Sequence, residues 1–465
     1  MSIIEKEKEG AHVAVTETAE TAFLVDLFKT FSQAEINYCV LRNYDGLPYD
    51  LRGSDLDILL RPDSVCRARR LIVATAYKHS GFAVWRELND YNIGYFCCSG
   101  TDHKGRRWGV HIDLMIAFRW HGLDYYSSDH VLSRVVTRHG VRVANACDAN
   151  LTAFLDKVLT ICSMHKDCYG QAAAKAYAQL PDSTKEEIAA TFGVKVEFLA
   201  RALETKEPNL LKSFARKLRR NLLIHQMSRC PTKVFGNKLK RFKTHCHRLL
   251  KKMGILVVVL GLDGSGKSTL IELVGKEFER LVHTKTEVRH YRPRLLPAIG
   301  QLAGQDSDKI SVIRNPHAKP PSGKIVSILR VAYCSTDYVL GYWLSLYPVL
   351  VKKGTVVFFD RYFYDYFIDP TRYFINAPKW VIRFFGWFIP KPDLILMLLP
   401  NAEKSIERKA ELPIEVLLRQ AEMIQKLGEK LKNVVWVDTS AAMEQSKEEM
   451  LQAIFDKFKN RPGWH

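Results

Sequence analysis

The chain has 465 residues, of which 47% are hydrophobic and 26% are charged, so it can form two or three folded domains and is not an intrinsically disordered chain. Its formal net charge of +19 predicts polyanionic partners, a class that includes nucleic acid, anionic lipid and phosphorylated substrates. The first residues lack the apolar segment of a secretory signal, no apolar run reaches the roughly 20 residues of a transmembrane helix, and ten cysteines are scattered without a CxxC pair. We therefore expect a cytoplasmic protein with free thiols.

Residues 1–20 are expected to form a flexible N-terminus, and residues 21–125 form the first predicted domain. An amphipathic helix and the strand INYCVLRN precede the string LRGSDLDILLRP, in which Asp55 and Asp57 lie two residues apart on a strand. Side chains with this spacing point to one face, where two carboxylates repel each other unless a cation lies between them. Asp113, in the alternating segment WGVHIDLMIAF, is a third candidate. Three carboxylates from neighbouring strands are the arrangement of a two-metal nucleotidyl-transfer site.

This pattern resembles the DNA polymerase beta-type nucleotidyltransferase family over about residues 20–120. The resemblance implies an α+β core whose three carboxylates bind metal ions. One element departs from the family, because its hydrophobic-Gly-Ser turn is replaced by Leu41-Arg42-Asn43, where Arg42 is a candidate to hold a phosphate instead. A hairpin with exposed acidic residues is the alternative, since D-x-D is a short and common string.

Two segments with helical spacing follow this core. Residues 126–207 include ANLTAFLDKVLTICSMH and STKEEIAATFGVKVEFLARALE and are expected to form a helical subdomain. Residues 208–252 contain fourteen Lys or Arg and no Asp or Glu, in a basic amphipathic pattern. This linker either packs its apolar face on a domain, or contacts an anionic membrane surface or glycolipid, or binds nucleic acid, which is the least favoured partner. A lipid contact would make the protein peripheral to the inner face of a membrane, and the apolar-aromatic stretch KWVIRFFGWFIPK (379–391) favours such a partner, although it is also compatible with a core.

The string GLDGSGKST, residues 261–269, follows the strand ILVVVL and precedes a helical pattern. It fits G-x-x-x-x-G-K-[ST] in the strand–turn–helix context that the motif needs, so we expect a nucleoside triphosphate as ligand. The glycines allow successive backbone N–H groups to face the phosphates, Lys267 can reach the β- and γ-phosphates, and Ser268 can ligate Mg²⁺. ATP and Mg²⁺ are the predicted cofactors. The predicted nucleotide-binding residues are Gly261, Asp263, Gly264, Ser265, Gly266, Lys267, Ser268 and Thr269.

Buried strands alternate with helices through residues 253–465, which predicts an α/β domain with a doubly wound parallel sheet. The strand in TVVFFDRYFYD ends in Asp360 and Arg361, and ligands bind such sheets at the carboxyl ends of the strands. Two further strands are predicted in PDLILMLLP and NVVWVDTS.

The loop G-x-D-G-x-G-K-S-T, the strand ending in Asp-Arg-Tyr and the PDL strand followed by an Arg-bearing helix together resemble the thymidylate kinase family over about residues 254–465. The resemblance implies a P-loop kinase that transfers the γ-phosphate of ATP to an acceptor. Asp360 would then serve Mg²⁺ or the acceptor, Arg361 would clamp the acceptor or a phosphate, and Arg408 would neutralise the transferring group from a lid. The alternatives are a helix N-cap for Asp360 and a solvated, ion-paired helix charge for Arg408. Tyr362 and the two tyrosines after it are expected to pack rather than to stack on an acceptor.

The acceptor side departs from the family. The loop His290-Tyr291-Arg292-Pro293-Arg294 has no acidic residue before its proline, and the helix before Asp-Arg-Tyr carries Asp337 and Tyr338 where the family has an arginine. We therefore expect either a nucleoside monophosphate or a sugar or glycan hydroxyl as acceptor. The segment 315–321 is a connector or part of an acceptor pocket. Two other functions stay open: a nucleotide-binding switch that regulates the N-terminal domain, and nucleotidyl transfer by that domain.

Overall fold

Two units, each with its own sheet, make up the computed structural model of the chain. The division falls between Phe242 and Lys243. The structure describes residues 18–51, 53–87, 92–160, 168–205, 207–250, 252–297, 322–352, 355–399, 413–440 and 442–459.

The sheet of the first unit is mixed and, in the described residues, has seven strands in the order β3-β4-β5-β2-β1-β9-β8. These strands are β1 (Tyr38–Val40), β2 (Leu56–Leu60), β3 (Gly81–Glu87), β4 (Asn92–Thr101), β5 (Arg107–Met115), β8 (Val136–Arg138) and β9 (Val141–Val143). A separate two-stranded ribbon consists of β6 (Phe118–Trp120) and β7 (Leu123–Tyr126). The central strands β2 and β5 run parallel, and their register places Asp57 opposite Asp113.

Helices cover this sheet and continue beyond it. They are α1 (Ala19–Gln33), α2 (Val65–Lys78), α3 (Ser128–Ser133), α4 (Ala146–Thr160), α5 (Cys168–Ala178), α6 (Asp182–Thr191), α7 (Val196–Glu204), α8 (Pro208–Arg229) and α9 (Pro231–Leu250). One apolar cluster joins α1 and α2 to the sheet, and a second cluster lies among α4, α5, α6, α7 and α8. The span predicted to be a helical subdomain also contains β8 and β9. Because β9 pairs in parallel with β1, this hairpin extends the large sheet.

In the part of the second unit that the structure describes, the sheet has five strands and every pairing is parallel, so the predicted parallel α/β sheet is confirmed. The strand order is β11-β12-β10-β13-β14. The strands are β10 (Ile255–Leu260), β11 (Thr286–His290), β12 (Val356–Asp360), β13 (Leu394–Leu398) and β14 (Val434–Val437). The central strand β10 is buried along its whole length, which explains its unbroken apolar sequence.

Helices pack around this parallel sheet. They are α10 (Lys267–Val282), α11 (Lys324–Gly341), α12 (Tyr347–Lys352), α13 (Asp365–Ile368), α14 (Lys379–Gly386), α15 (Ile414–Gly428) and α16 (Met443–Lys459). A π-helical turn, Tyr342–Leu346, joins α11 to α12, so the long helix predicted before β12 is present with a local widening.

The basic linker forms the two helices α8 and α9, which differ in burial. The apolar stripe of α8 is buried in the helical cluster of the first unit; it consists of Leu211, Ala215, Leu218 and Leu222. In α9, Val234 is buried, whereas Phe235, Leu239 and Phe242 are exposed. The described part of the chain has no helix that is both long enough and apolar enough to cross a bilayer.

Candidate functional site

The glycine-rich loop of residues 261–266, which we call the phosphate loop, lies between the end of the central strand β10 and the start of α10. Gly264 and Gly266 adopt left-handed backbone conformations, with φ of 79° and 86°, which explains why glycine is used at both positions. A Cβ atom on Gly261 would come within 3.0 Å of both the Leu398 side chain and the Ser265 hydroxyl, so the loop starts where it passes close to β13. The helix begins at Lys267 and directs its positive end toward the loop.

Lys267 is buried beside this loop. Its Nζ donates hydrogen bonds to the carbonyl oxygens of Gly261, at 2.9 Å, and Leu262, at 2.6 Å. Burial and the nearby charge of Arg361 lower the pKa of Lys267 to about 8. Deprotonation of Lys267 therefore costs less free energy here than in water. A bound polyanion would favour the charged form again.

Asp360, the last residue of β12, lies directly beside the first turn of α10. The hydroxyl of Ser268 donates to Oδ2 of Asp360 at 2.9 Å, and Nδ1 of His290 lies 3.3 Å from the same oxygen. The other carboxylate oxygen, Oδ1, is buried and has no hydrogen-bond partner within the described residues. Burial opposes ionisation, but the hydrogen bond from His290 and the charge of Lys267 hold the pKa of Asp360 below its usual range.

These features decide between the two interpretations of Asp360. The next helix, α13, begins at Asp365 and has Tyr364 at its N-cap position, so the N-cap interpretation is wrong. A hydroxyl and an ionised carboxylate with a free lone pair form the oxygen donor set that Mg²⁺ prefers. Ser268 and Asp360 therefore fit a magnesium ion, and the register of the sheet brings His290 to the same edge.

A pair of guanidinium groups faces the aspartate of the loop. Asp263 accepts hydrogen bonds from Nη2 of Arg361 and, at 2.5 Å, from Nη1 of Arg372. Arg361 also donates from Nη1 to Asp365 at 3.0 Å, and the Tyr373 hydroxyl donates to the same carboxylate at 2.7 Å. Burial alone would raise the pKa of Asp263, but the two guanidinium charges hold it well below its usual range.

Arg361 is held in a strained backbone conformation. Its φ is 73°, in the left-handed region that non-glycine residues seldom adopt, and its N–H donates to the Val259 carbonyl at 3.2 Å. Such strain costs on the order of 1–3 kcal/mol and is found preferentially at functional sites. The sequence motif indicated Arg361 but gave no sign of Arg372, which lies in a short 3₁₀ helix, Thr371–Tyr373, and reaches Asp263 through the tertiary fold.

Asp337 of α11 accepts hydrogen bonds from the loop that follows β11 and holds that loop in place. It is fully buried and accepts a hydrogen bond from Nη1 of Arg292 at 3.0 Å. It also accepts from the backbone N–H groups of Arg294, at 3.2 Å, and Leu296, at 2.7 Å. Asp337 of α11 is thus neutralised by an arginine of the loop itself, and neither charge of this pair is left over for an acceptor.

A layer of tyrosines lies under this loop. The ring of Tyr291 stacks on that of Tyr373 with centroids 4.4 Å apart, and its hydroxyl hydrogen-bonds that of Tyr366. Tyr362 and Tyr366 are fully buried, which confirms packing for these two, whereas Tyr364 is half-buried. Arg408 and the segment 315–321 lie outside the described residues.

This geometry agrees with a comparison against known proteins. The chain is 27% identical over 204 residues to a protein named probable thymidylate kinase from Thermococcus gammatolerans. The alignment covers 41% of this chain and 91% of that protein. No protein-family model matches the chain. The similarity is distant and partial, and it supports a kinase-like region within the chain.

The first unit contains a separate cluster of ligand-type side chains. Asp55, His111 and Asp113 each offer one ligand atom, and these atoms lie within 4.8 Å of one another. Asp57 is directed elsewhere, because Arg42 binds it with both Nε, at 2.5 Å from Oδ2, and Nη2, at 3.3 Å from Oδ1. The structure thus brings together two of the three predicted carboxylates and adds a histidine.

The strand arrangement explains why Asp57 pairs with Arg42 and why His111 lies beside Asp113. Arg42 lies two residues beyond the end of β1, which is antiparallel to β2, and its side chain reaches Asp57 on that neighbouring strand. His111 lies two residues before Asp113 on β5 and shares its face. Burial disfavours the charged imidazole, but the hydrogen bonds to Asp113 and Cys97 raise the pKa of His111 to about 11. An imidazolium here already supplies a positive charge, and it must lose a proton before it can ligate a metal ion.

Proposed function

We propose that the unit Lys243–His465 is an ATP- and Mg²⁺-dependent phosphotransferase of the thymidylate kinase-like class. The observation that carries this proposal is the contact of Ser268 with Asp360 beneath the phosphate loop, with one carboxylate oxygen left unpartnered. A glycine-rich turn that bound nothing would not need an unpartnered buried carboxylate next to a helix N-terminus.

Each group at this edge has a distinct part in the proposal. The loop and the start of α10 bind the phosphates, and Lys267 moves from its two carbonyl partners to the β- and γ-phosphates. Ser268 and Asp360 would hold Mg²⁺, which when bound neutralises phosphate charge. Arg361 and Arg372, which both donate to Asp263, would orient the acceptor, while Arg408 is proposed to neutralise the transferring group.

The acceptor we propose is a nucleoside monophosphate or a sugar or glycan hydroxyl. The loop after β11 supports a sugar or glycan hydroxyl as acceptor. Arg292 of this loop is bound to Asp337, and Tyr291 stacks on Tyr373. These contacts replace groups with which the family recognises its nucleotide acceptor.

The test is ADP release by the full chain with ATP and Mg²⁺, against dTMP, other nucleoside monophosphates, simple sugars and glycan extracts. We expect one acceptor class to stimulate release by at least about 100-fold, because positioned phosphoryl transfer far exceeds background hydrolysis. Lys267→Ala is the control for contaminating kinases. Acceptor-independent slow hydrolysis with every compound would contradict the kinase proposal and favour the nucleotide switch.

Two arginine variants separate acceptor chemistry from ATP binding. Arg372→Ala and Arg361→Ala should each lower turnover at least about tenfold while leaving ATP affinity within about twofold. Both guanidinium groups reach the loop through the Asp263 carboxylate, whereas the phosphates are proposed to bind backbone N–H groups and Lys267. Arg289→Ala, on the edge strand β11, is the matched control and should leave both quantities unchanged. If Arg372→Ala lowered ATP affinity as much as turnover, the proposal that Arg372 orients the acceptor would be wrong.

Nucleotidyl transfer by the first unit is a second candidate, favoured by the cluster of Asp55, His111 and Asp113. It predicts pyrophosphate release that is lost in Asp113→Asn and survives Lys267→Ala. The ion pair between Arg42 and Asp57 leaves one carboxylate fewer than a two-metal site uses. Retained pyrophosphate release in Asp113→Asn would exclude this candidate.

For the basic linker we propose contact with an anionic membrane surface or glycolipid through α9 rather than through α8. The stripe of Phe235, Leu239 and Phe242 is exposed among lysines and arginines, a pattern typical of helices that lie on anionic lipid. Nucleic acid is the less favoured partner.

A further inference from the structure

Helix α14 is apolar on both of its faces although it lies at the surface of the second unit. Its inner face buries Val381 and Ile382, and Ile389 is buried just beyond its end. Four exposed aromatic side chains at helical spacing lie on its outer face and in the turn that follows it, and we call them the aromatic face. They are Trp380 (69% exposed), Phe384 (54%), Trp387 (86%) and Phe388 (59%).

This exposure is large for a single helix and its next turn. A Trp or Phe side chain carries about 150–250 Å² of surface, so the exposed parts of these four amount to about 400–670 Å². That is at the upper end of the largest apolar patches on monomeric proteins, which are often functional. The neighbouring helix α11, which packs against α14, exposes Ile325, Val326 and Leu329 in its first turns. The N–H of Asn376 donates to the Ser327 hydroxyl at 2.9 Å, which ties the start of α11 to the segment that leads into α14.

The charges around the aromatic face have one sign. Residues 370–392 contain no Asp or Glu, whereas Lys379, Arg383 and Lys391 are exposed. Arg383 lies three residues after Trp380 and four before Trp387, so it shares their side of the helix. Exposed aromatics with interspersed cations match the interface of an anionic bilayer, where indole rings lie at the headgroup level and cations meet lipid phosphates.

We propose that the aromatic face of α14 inserts into the interface of an anionic lipid bilayer. Single-stranded nucleic acid, the other polyanion that stacks on aromatics, fits less well. It needs open ring faces along a basic groove, whereas Phe384 makes edge contacts with Phe385 and Phe388 and the adjacent exposed side chains of α11 are aliphatic. This surface is distinct from the exposed stripe of α9, and the proposal does not depend on which acceptor the second unit uses.

Tryptophan fluorescence of the full chain can locate the insertion. Vesicles of phosphatidylcholine with about 30% phosphatidylglycerol, with and without bromine atoms on the upper acyl chain, serve as probes. We expect bromolipid to quench fluorescence, and we expect Trp380→Phe/Trp387→Phe to remove most of that quenching while the protein still sediments with the vesicles. Quenching that is unchanged in this variant would place the contact elsewhere and overturn the proposal.

A variant that introduces negative charge tests whether the aromatic face also contributes to the affinity for the bilayer. Trp380→Glu/Trp387→Glu should lower the vesicle partition coefficient at least about tenfold, since both apolar insertion and attraction to anionic lipid are lost. Phe235→Glu/Phe242→Glu, on α9, is the matched variant, and it should leave the bromolipid quenching of Trp380 and Trp387 in place at saturating lipid. ADP release without vesicles should be unchanged in both variants, which separates this test from that of the proposed function.

Three results would contradict the proposal. One is sedimentation with vesicles that is equal in the wild type and in Trp380→Glu/Trp387→Glu. Another is concentration-dependent self-association that the same variant abolishes, which would assign the face to a second copy of the chain. The third is binding of a single-stranded oligonucleotide that the variant abolishes while vesicles do not compete.

Discussion

Three carboxylates at the carboxyl edge of the parallel sheet differ in their partners, and the partners assign their roles. Asp360 retains an unpartnered oxygen beside Ser268, which suits a cation. Asp263 is saturated by two guanidinium groups, and Asp365 accepts from Arg361 and Tyr373. Both contacts of Asp365 fall on its Oδ2, whereas Asp360 has a buried, unpartnered Oδ1 directly beside Ser268. Asp360 is therefore the carboxylate that we propose for Mg²⁺.

We predict that ATP binding is accompanied by proton uptake at Lys267. Its pKa is lowered to about 8 in the protein, and the triphosphate stabilises the charged ammonium and raises that pKa again. Uptake should approach about half a proton per ATP near pH 8, grow just above it and vanish near pH 6, where the side chain is already protonated. Calorimetry of ATP binding in buffers with different ionisation enthalpies measures this quantity.

Lys267→Arg is the control, because a guanidinium stays protonated at every pH of the experiment. It should bind ATP without a buffer-dependent heat. The same buffer dependence in Lys267→Arg as in the wild type would assign the proton to another group.

Asp263→Asn should destabilise the second unit by about 3 kcal/mol at neutral pH, since it leaves two nearly buried guanidinium groups without their shared counter-ion. The folded-state pKa of Asp263 lies below its unfolded value, so its stabilisation is fully present above the usual carboxyl range. The difference between variant and wild type should therefore shrink as the pH falls below about 4. Urea unfolding at several pH values measures it.

Glu422→Gln, on α15, is the control for this substitution, because Glu422 pairs with Lys426 at the exposed surface. Its unfolding curve should superimpose on that of the wild type. Equal destabilisation by both variants would mean that the ion pairs of Asp263 contribute no more to the free energy of unfolding than an exposed surface pair.

At the scale of elements, three helices that combine apolar and basic residues have different surroundings. The apolar stripe of α8 is covered by the helical cluster of the first unit, that of α9 is largely exposed, and α14 is covered on one face and exposed on the other. The packing interpretation of the basic linker therefore holds for α8, and α9 and α14 are the helices that have apolar surface to offer a partner.

We predict that Leu218→Ala destabilises the first unit by about 2–5 kcal/mol, because Leu218 is fully buried and its truncation leaves a cavity between α8 and the helices beneath it. Leu210→Ala, on the exposed side of the same helix, should cost less than about 0.5 kcal/mol. Thermal unfolding of the two variants makes the comparison. Equal shifts would contradict the packing of α8 as a structural helix.

At the scale of the whole molecule, the division into two units predicts that nucleotide stabilises only one of them. Binding stabilises the folded form of the unit that holds the ligand, by about 2.7 kcal/mol at a hundredfold excess over Kd. Since the phosphate loop belongs to Lys243–His465, calorimetric unfolding with a non-hydrolysable ATP analogue and Mg²⁺ should raise one transition and leave the other in place.

Lys267→Ala should abolish this shift. A single transition that moves as a whole with nucleotide would mean that the two units unfold cooperatively, contrary to this prediction.

Much of the second unit could be predicted because its signals are local. The phosphate loop needs nine consecutive residues between a strand and a helix, and the positive φ values of Gly264 and Gly266 follow from that turn alone. The parallel sheet followed from apolar runs that are buried on both faces. The first unit carried weaker signals. The D-x-D string predicts that two side chains lie on one face but does not predict which residues they contact, and β8 and β9 are too short to show a clear alternation of apolar and polar residues.

The sequence by itself thus determined the parallel α/β sheet, the phosphate loop and the strand-end position of Asp360, because strand alternation and turn geometry depend on near neighbours along the chain. Only the tertiary structure decided that Arg372 meets Asp263, that Arg42 takes Asp57 while His111 joins Asp55 and Asp113, and that α8 is covered while the aromatic face of α14 is not. Periodicity along the chain shows that a helix has an apolar side, or on which face of a strand a carboxylate lies. What covers that side, and which charge meets that carboxylate, depends on segments far apart in the chain.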